Sequence, residues 1–222
     1  MRKVVCINDK KLPAGAEVVE GKEYELPEVM NIENYTKIFK IKDLLSDEYF
    51  AAKLVSIVTG APVEKLMEGD YDQLNYLAAY ILNMMPKDTP KFQDRFTIDG
   101  VEYGFFPNWR EMTYAEFVDM DTISTRPVDE MLNLLHVLAA VMYRPIVKFD
   151  EDKEYHIEKY DVKTMTKRAE LFKKKLDVRY VLGAQTFFTS CVKRFFLYSR
   201  ASLTPKISVW TRMKLLWTLR KI

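Results

Sequence analysis

Residues 92–107, FQDRFTIDGVEYGFFP, decide the fold of this chain. Apolar and polar residues alternate on both sides of Asp99-Gly100, a dipeptide typical of the two-residue turn of a β-hairpin. The pattern predicts a central hairpin near residues 92–107, in which Gly100 adopts a positive φ. Helical periodicity dominates the sequence on both sides of it, so we expect an α+β fold that is predominantly helical.

Three helices are predicted before the hairpin. Ser46, followed by two acids in the first turn, begins a helix that ends at Gly60, and Pro62 begins a short helix through Leu66. Asp70 caps a third helix. The apolar residues of this third helix recur at helical spacing and form its predicted buried stripe, which consists of Leu74, Leu77, Ala78, Ile81 and Leu82.

Capping residues predict the elements that follow the hairpin. Thr113 and Glu116 form a capping box that opens a short helix. Thr125 is expected to cap an apolar helix that has Pro127 in its first turn and that Pro145 ends. The remaining predicted elements are a brief extended segment at 155–157, a charged helix that Asp161 opens and that runs to about Lys175, and a long helix that Asp177 caps and that runs to about Ser199.

Three regions are predicted along the chain. Residues 1–28 form a small β unit, because short apolar runs flank turn residues there. Residues 29–200 form a mainly helical body that contains the hairpin. Residues 201–222 form a basic amphipathic arm, called the basic arm below. Two interpretations of the β unit stay open: a clip that docks on the body, or an extension that reaches a neighbouring subunit.

The net charge of +2 conceals two oppositely charged segments. No acidic residue follows Asp177, whereas nine Lys and Arg residues lie between Val178 and Ile222 and give that segment a charge of +9. Because the whole chain carries +2, residues 1–177 carry the remaining −7. The chain is therefore an acidic body with a basic end.

The basic arm contains the predicted interaction residues. Aromatic and basic side chains alternate in it, and the candidates are Trp210, Arg212, Lys214, Trp217, Arg220 and Lys221. A basic amphipathic segment of this kind suits three surfaces: an acidic protein, nucleic acid or an anionic bilayer. The acidic body makes the first of these available within an oligomer of the same chain.

The sequence predicts neither a cofactor nor a metal site. Its 7 scattered glycines do not form a phosphate-binding loop, and it contains no nucleophile elbow and no dinucleotide fingerprint. The four thiol and imidazole residues, Cys6, Cys191, His136 and His156, lack the spacing of zinc ligands. We therefore expect a protein that is not an enzyme.

Two groups of carboxylates support a competing hypothesis. Glu116, Asp119 and Asp121 form one group, and Asp129 with Glu130 forms the other. Such groups serve as general acids and bases or hold a divalent cation, as a metal-dependent hydrolase requires. Against this hypothesis, Glu116 already has a role in the predicted capping box, and Asp129 and Glu130 occupy the first turn of a helix.

The sequence also bears on the cellular compartment. Two cysteines do not make a disulfide framework, which indicates a reducing environment. The amino terminus lacks a long apolar segment, and the longest apolar run, 137–143, is far shorter than the roughly 20 residues that span a bilayer. We expect no secretion signal and no membrane span.

Several motifs follow one another along the chain: DGVEYGFFPN at 99–108, MTYAEFVD at 112–119, LL at 134–135, YRP at 143–145, YHIEKYD at 155–161, RAELF at 168–172, VLGA at 181–184 and FF at 187–188. Together they resemble a module found in structural proteins of tailed bacteriophages. In that module a hairpin ends in Pro-Asn or Pro-Asp and precedes a threonine-capped helix with a Glu-Phe-x-Asp core. The resemblance covers roughly residues 92–190 and is greatest to ring or tail-hub proteins stacked below the portal of crAss-like phages, with tail assembly chaperones second.

The resemblance implies a non-catalytic virion protein. It implies a subunit of a cyclic homo-oligomer in the portal–tail region, made in the host cytoplasm, with other tail or portal proteins as neighbours and DNA in the ring lumen as a candidate contact. The competing hypotheses are a tail assembly chaperone that is missing from particles and, in a different class, the metal-dependent hydrolase that would use Glu116 and Asp119.

Overall fold

The computed structural model describes residues 3–8, 21–41, 47–108, 111–151 and 154–202. Within these residues the fold is α+β and predominantly helical, as the sequence predicts. The chain divides between Lys87 and Asp88 into two compact units, called the first and the second unit below. This division falls inside the stretch 29–200 that the sequence treats as one body.

The first unit begins with a two-stranded antiparallel sheet. Strand β1 (Lys3–Asn8) pairs with β2 (Gly21–Leu26), so that Lys3 lies opposite Leu26 and Asn8 opposite Gly21. This sheet is the small β unit predicted at the start of the chain. Strand β2 also contacts helix α2 (Asp47–Thr59), and the side chain of Leu26 is buried.

Four helices of the first unit follow the sheet: α1 (Ile32–Ile41), α2, α3 (Val63–Met67) and α4 (Tyr71–Met84). Helix α2 is central, because it contacts each of the other three. Pro62 precedes α3 and Asp70 caps α4, as predicted, whereas the proposed Ser46 cap lies outside the described residues. Helix α1 was not predicted, although the side chain of Asn31 accepts a hydrogen bond from the Asn34 amide (2.8 Å) in a typical N-cap geometry.

The second unit is built on a four-stranded antiparallel sheet in the order β3 (Arg95–Ile98), β4 (Val101–Phe105), β5 (Tyr143–Phe149), β6 (Tyr155–Ile157). Strands β3 and β4 are the predicted hairpin, and Ile98 lies opposite Val101 across the turn. Asp99 and Gly100 have φ values of +51° and +79°, which define the turn type that Asp-Gly favours.

Strand β5 corrects the prediction that Pro145 ends the preceding helix. Helix α6 (Val128–Met142) stops before Tyr143, and the chain continues directly into β5 with Pro145 opposite Tyr103 of β4. Proline lacks an N–H but keeps an acceptor, and its carbonyl accepts a hydrogen bond from the Glu158 amide (2.9 Å). Pro145 is therefore accommodated inside the sheet.

Helix α6 is the centre of the second unit. It contacts α5 (Tyr114–Ser124), α7 (Val162–Lys175) and α8 (Val178–Ser202). The capping box at the start of α5 and the Asp161 cap of α7 are present as predicted, and the Asp177 carboxylate accepts from the Arg179 amide at the start of α8. The Thr125 prediction was wrong: Thr125 ends α5, and its hydroxyl donates to the Asp121 carbonyl (2.8 Å).

Aromatic rings join the sheet to the helices of the second unit. Phe96 of β3 packs against Tyr143 of β5 and Phe172 of α7, with ring centroids 4.9 and 5.5 Å apart. Phe92, which precedes the sheet, stacks on Phe187 of α8 at 4.2 Å. These contacts place the core of the unit between the sheet and the helices α6, α7 and α8.

Candidate functional site

The predicted interaction residues of the basic arm lie outside the described residues. They are Trp210, Arg212, Lys214, Trp217, Arg220 and Lys221. Helix α8 continues to Ser202, so the first two residues of the predicted arm belong to that helix.

The carboxylates of the hydrolase hypothesis are engaged by other groups of the second unit. Glu116 is only 3 % exposed: one of its oxygens accepts from the Thr113 amide and the other forms an ion pair with Arg144, both at 2.5 Å. Asp119, one turn later on α5, accepts a hydrogen bond from the Tyr160 hydroxyl. Glu116 and Asp119 therefore both bind partners within the fold.

The other predicted carboxylates lie apart from this arrangement. Asp121 is half-buried, and burial raises its pKa above the ordinary value. Asp129 and Glu130 are exposed in the first turn of α6, where Glu130 pairs with Arg126 at 3.2 Å. Acidic residues in the first turn of a helix interact favourably with the helix dipole. This interaction is a sufficient reason for their position.

Two buried arginines form ion pairs in the second unit. Arg144 of β5 is 6 % exposed and pairs with Glu116 of α5. Arg168 of α7 is 7 % exposed, donates to the Ala140 carbonyl of α6 (3.0 Å) and pairs with Glu158. These contacts link β5 to α5 and, separately, α7 to α6.

Burial and the neighbouring carboxylates shift the pKa values of these arginines in opposite directions. Burial lowers the pKa of Arg144 below its ordinary value, while the neighbouring Glu116 opposes that shift. The pKa of Arg168 is likewise lowered by burial, and Glu158 opposes the change. Burial also raises the pKa of the Tyr160 hydroxyl, and its hydrogen bond to Asp119 adds to the increase. Buried charges persist in a fold only when they are paired and hydrogen-bonded in this way.

The roles of Arg144 and Arg168 were not predicted from the sequence. Both belong to motifs of the resemblance, YRP and RAELF, and Arg144 directly follows a strongly apolar helix. An arginine placed among apolar residues is a signal for a buried ion pair, because an unpaired charge there would be costly. Among the described residues, the Nε atom of Arg144 is buried and has no hydrogen-bond partner.

A second feature is an exposed face on α4 of the first unit that combines aromatic, apolar and polar side chains. These side chains lie on one side of the helix, where Asp72 is also exposed, and are called the α4 outer face: Tyr71, Asn75, Tyr76, Ala79 and Leu82. Leu82 was predicted in the buried stripe, but it is 41 % exposed. The stripe is centred on Leu77 and Ile81 instead, and Leu82 is rotated by about 100° from Ile81 around the helix axis.

Both histidines of the chain lie in the second unit. His136 is half-buried on α6, and burial lowers its pKa, with nearby Lys173 adding to the shift. The Nε2 atom of His156 lies 2.6 Å from an Asp150 oxygen, and this contact and Lys148 lower the pKa of Asp150. Searching the described ranges reveals no cluster of three His, Cys, Asp or Glu that could hold a metal ion.

In the described part of the chain, no helix is long and apolar enough to cross a membrane. Comparison with known protein families, with curated proteins and with solved structures finds no match to this chain.

Proposed function

We propose that this chain is a non-catalytic structural subunit of an oligomeric ring in the portal–tail assembly of a tailed bacteriophage. The observation that carries the proposal is that charged residues from different motifs of the resemblance pair with one another in the fold. Glu116, Arg144, Glu158 and Arg168 come from four separate motifs and form two ion pairs, Arg144 with Glu116 and Arg168 with Glu158, that join these motifs in the fold. A set of motifs that shares a single structural role is what a common fold of the second unit would produce.

The distribution of charge supports self-association. The chain combines an acidic body of −7 with a basic end of +9, so one copy offers a surface that complements a different surface of another copy. Contacts of this head-to-tail kind generate closed rings when the rotation between subunits closes. Opposite charges would guide the encounter and would exclude like-charged pairings.

The position of the protein follows from the same proposal. The ring would assemble in the host cytoplasm and remain in the virion, between portal and tail proteins. The excess of basic residues after Asp177 makes phage DNA in the ring lumen a further candidate contact.

A census of purified particles by mass spectrometry tests the proposal. We expect the chain to be present in a fixed copy number per particle and to sediment with the tail. If it is absent from particles but bound to tail proteins during infection, the chain is a tail assembly chaperone instead. Mass photometry of the purified chain should also give a discrete species at an integer multiple of 26.1 kDa.

Charge reversal tests whether the basic arm drives assembly. The variant Arg212→Glu with Lys214→Glu should weaken association, and higher salt should weaken the association of the unaltered chain in the same direction. The matched control reverses two exposed lysines of α7, Lys163→Glu with Lys167→Glu. If the two variants weakened association equally, the effect would depend only on net charge, and the basic arm would have no specific role in assembly.

A further inference from the structure

The α4 outer face has the chemistry of a docking surface. Tyr71 and Tyr76 are 72 % and 70 % exposed, and with Ala79 and Leu82 they form a strip along one side of the helix in which the polar side chains of Asp72 and Asn75 are also exposed. From Tyr71 to Leu82 this strip is about 16 Å long, at about 1.5 Å per residue. Large apolar side chains that are exposed together on one side of a helix are typical of a site of interaction.

Charge indicates which kind of partner fits this face. The segment that comprises α3 and α4 contains four acids, Glu64, Glu68, Asp70 and Asp72, against one base, Lys65. Helix α4 itself has no Lys or Arg. An occupant should therefore be basic as well as apolar, because like charges would be excluded and opposite charges attracted.

The basic arm has the matching chemistry. Residues 203–222 contain five basic residues and no acid. Its apolar residues recur every three or four positions over a stretch of sequence similar in length to the α4 strip: Ile207, Trp210, Met213 and Trp217. Indole and guanidinium groups both stack favourably on exposed tyrosine rings.

We propose that residues 206–222 of one copy bind the α4 outer face of a neighbouring copy. The proposal rests on the ring function proposed above and names the two surfaces that join adjacent subunits. The interaction places an apolar segment across Tyr71, Tyr76 and Leu82, with its basic residues toward the acids that precede and begin α4. Because the basic arm and the α4 outer face are different surfaces of the same chain, each subunit binds one neighbour with its arm and is bound on α4 by another.

Photo-cross-linking tests the docking in the full-length chain. Tyr76 is replaced by a photoreactive benzoyl-phenylalanine in an equal mixture of ¹⁴N- and ¹⁵N-labelled protein, and cross-linked peptides are identified by mass spectrometry. We expect cross-links to residues 206–222, with about half of the pairs containing both isotopes. The matched control places the same group at Tyr114 of α5, which is 67 % exposed, and should give no cross-link to the arm.

Two outcomes of this experiment would overturn the docking. If every cross-linked pair contained a single isotope and no mixed pair formed, the arm would bind its own copy. Cross-links from position 76 to other regions, or equal capture of the arm from position 114, would show that α4 is not the acceptor.

A charge substitution on the same face provides a second readout. Ala79→Arg puts a positive charge at an exposed position of α4 and should weaken self-association about fivefold or more. The matched control Ala115→Arg makes the same change at an exposed position of α5 and should leave association within about twofold. Equal association constants for the two variants would refute the docking.

These experiments separate the docking from the ring function. If the chain is present in particles as a ring but neither the cross-link nor Ala79→Arg identifies α4, the docking is wrong and the ring function stands. If mixed-isotope cross-links to α4 form but the chain is absent from particles, the docking stands and the ring function is wrong.

Discussion

Removing the charge of Glu116 should destabilise the second unit strongly. The variant Glu116→Gln keeps the shape of the side chain and an acceptor for the Thr113 amide, but it presents an uncharged amide to Arg144. The side chains of Glu116 and Arg144 are only 4 % and 7 % exposed, so water cannot replace the lost partner. Arg144 then keeps a buried charge without its counter-charge.

The size of the effect follows from this burial. Loss of one partner from a buried ion pair costs about 3–5 kcal/mol. Glu130→Gln is a matched control, because Glu130 occupies the same third position of its helix and also pairs with an arginine, Arg126, but both side chains are exposed. Breaking an exposed pair of this kind costs about 0.3–0.5 kcal/mol.

Urea and thermal unfolding measure the difference. A loss of about 3 kcal/mol corresponds to a fall of roughly 6–12 °C in the melting temperature of a chain of this length, whereas the control should shift by about 2 °C or less. Adding Arg144→Met to Glu116→Gln should recover about 1 kcal/mol or more, because it removes the unpaired charge. Equal destabilisation by Glu116→Gln and Glu130→Gln would refute the reasoning.

The same variant tests the hydrolase hypothesis. We expect the unaltered protein to give no nuclease, protease or phosphatase turnover that depends on Glu116. Activity that is present in the unaltered chain and disappears in folded Glu116→Gln would establish a catalytic carboxylate and contradict the proposed function.

Three further predictions concern single positions of the second unit. Gly100→Val should lower the free energy of unfolding in urea by about 1 kcal/mol or more, because Gly100 has a φ of +79°, and Gly100→Asn should lower it less. If the Val variant were as stable as the unaltered chain, the turn conformation described here would be wrong. Gly183→Ala should lower the free energy of unfolding by about 1–3 kcal/mol, because the added methyl group would lie 2.7 Å from the Lys91 carbonyl oxygen. A stabilised variant, which is the result expected for Gly→Ala in an isolated helix, would show that this close packing is absent. Burial lowers the pKa of His136, so its contribution to stability is complete above pH 6.5 and is lost as the pH falls from there through the folded-state pKa. His136→Gln should flatten the stability profile below about pH 6.5, and an unchanged slope would exclude His136 as the cause.

Signals confined to a few neighbouring residues were sufficient for much of the fold. The Asp99-Gly100 turn, the capping box at Thr113 and the caps Asp70 and Asp161 are present in the structure as predicted. In each case the stabilising interaction joins backbone and side chain within three or four residues, so the sequence contains both partners of the interaction.

Predictions were less successful where a nearby residue had two possible roles. Thr125 is a good N-cap residue in isolation, but the structure uses it at the end of α5. Leu82 fits the period of a buried stripe, yet α4 presents it to solvent. Local pattern limits such residues to a few roles, and the direction in which the helix packs decides between them.

The sequence by itself determined the α+β class, the turn, most helix starts and the separation of acidic and basic charge. Only the tertiary structure decided that Pro145 lies inside a sheet and that Arg144 meets Glu116, because β5 pairs with β4 across about forty residues of intervening chain. The exposed face of α4 was likewise decided by packing, since burial of Leu77 and Ile81 leaves Tyr71, Tyr76 and Leu82 exposed to solvent. Interactions between distant residues have no local sequence signal, and they determine which side chains are buried and which remain available to a partner.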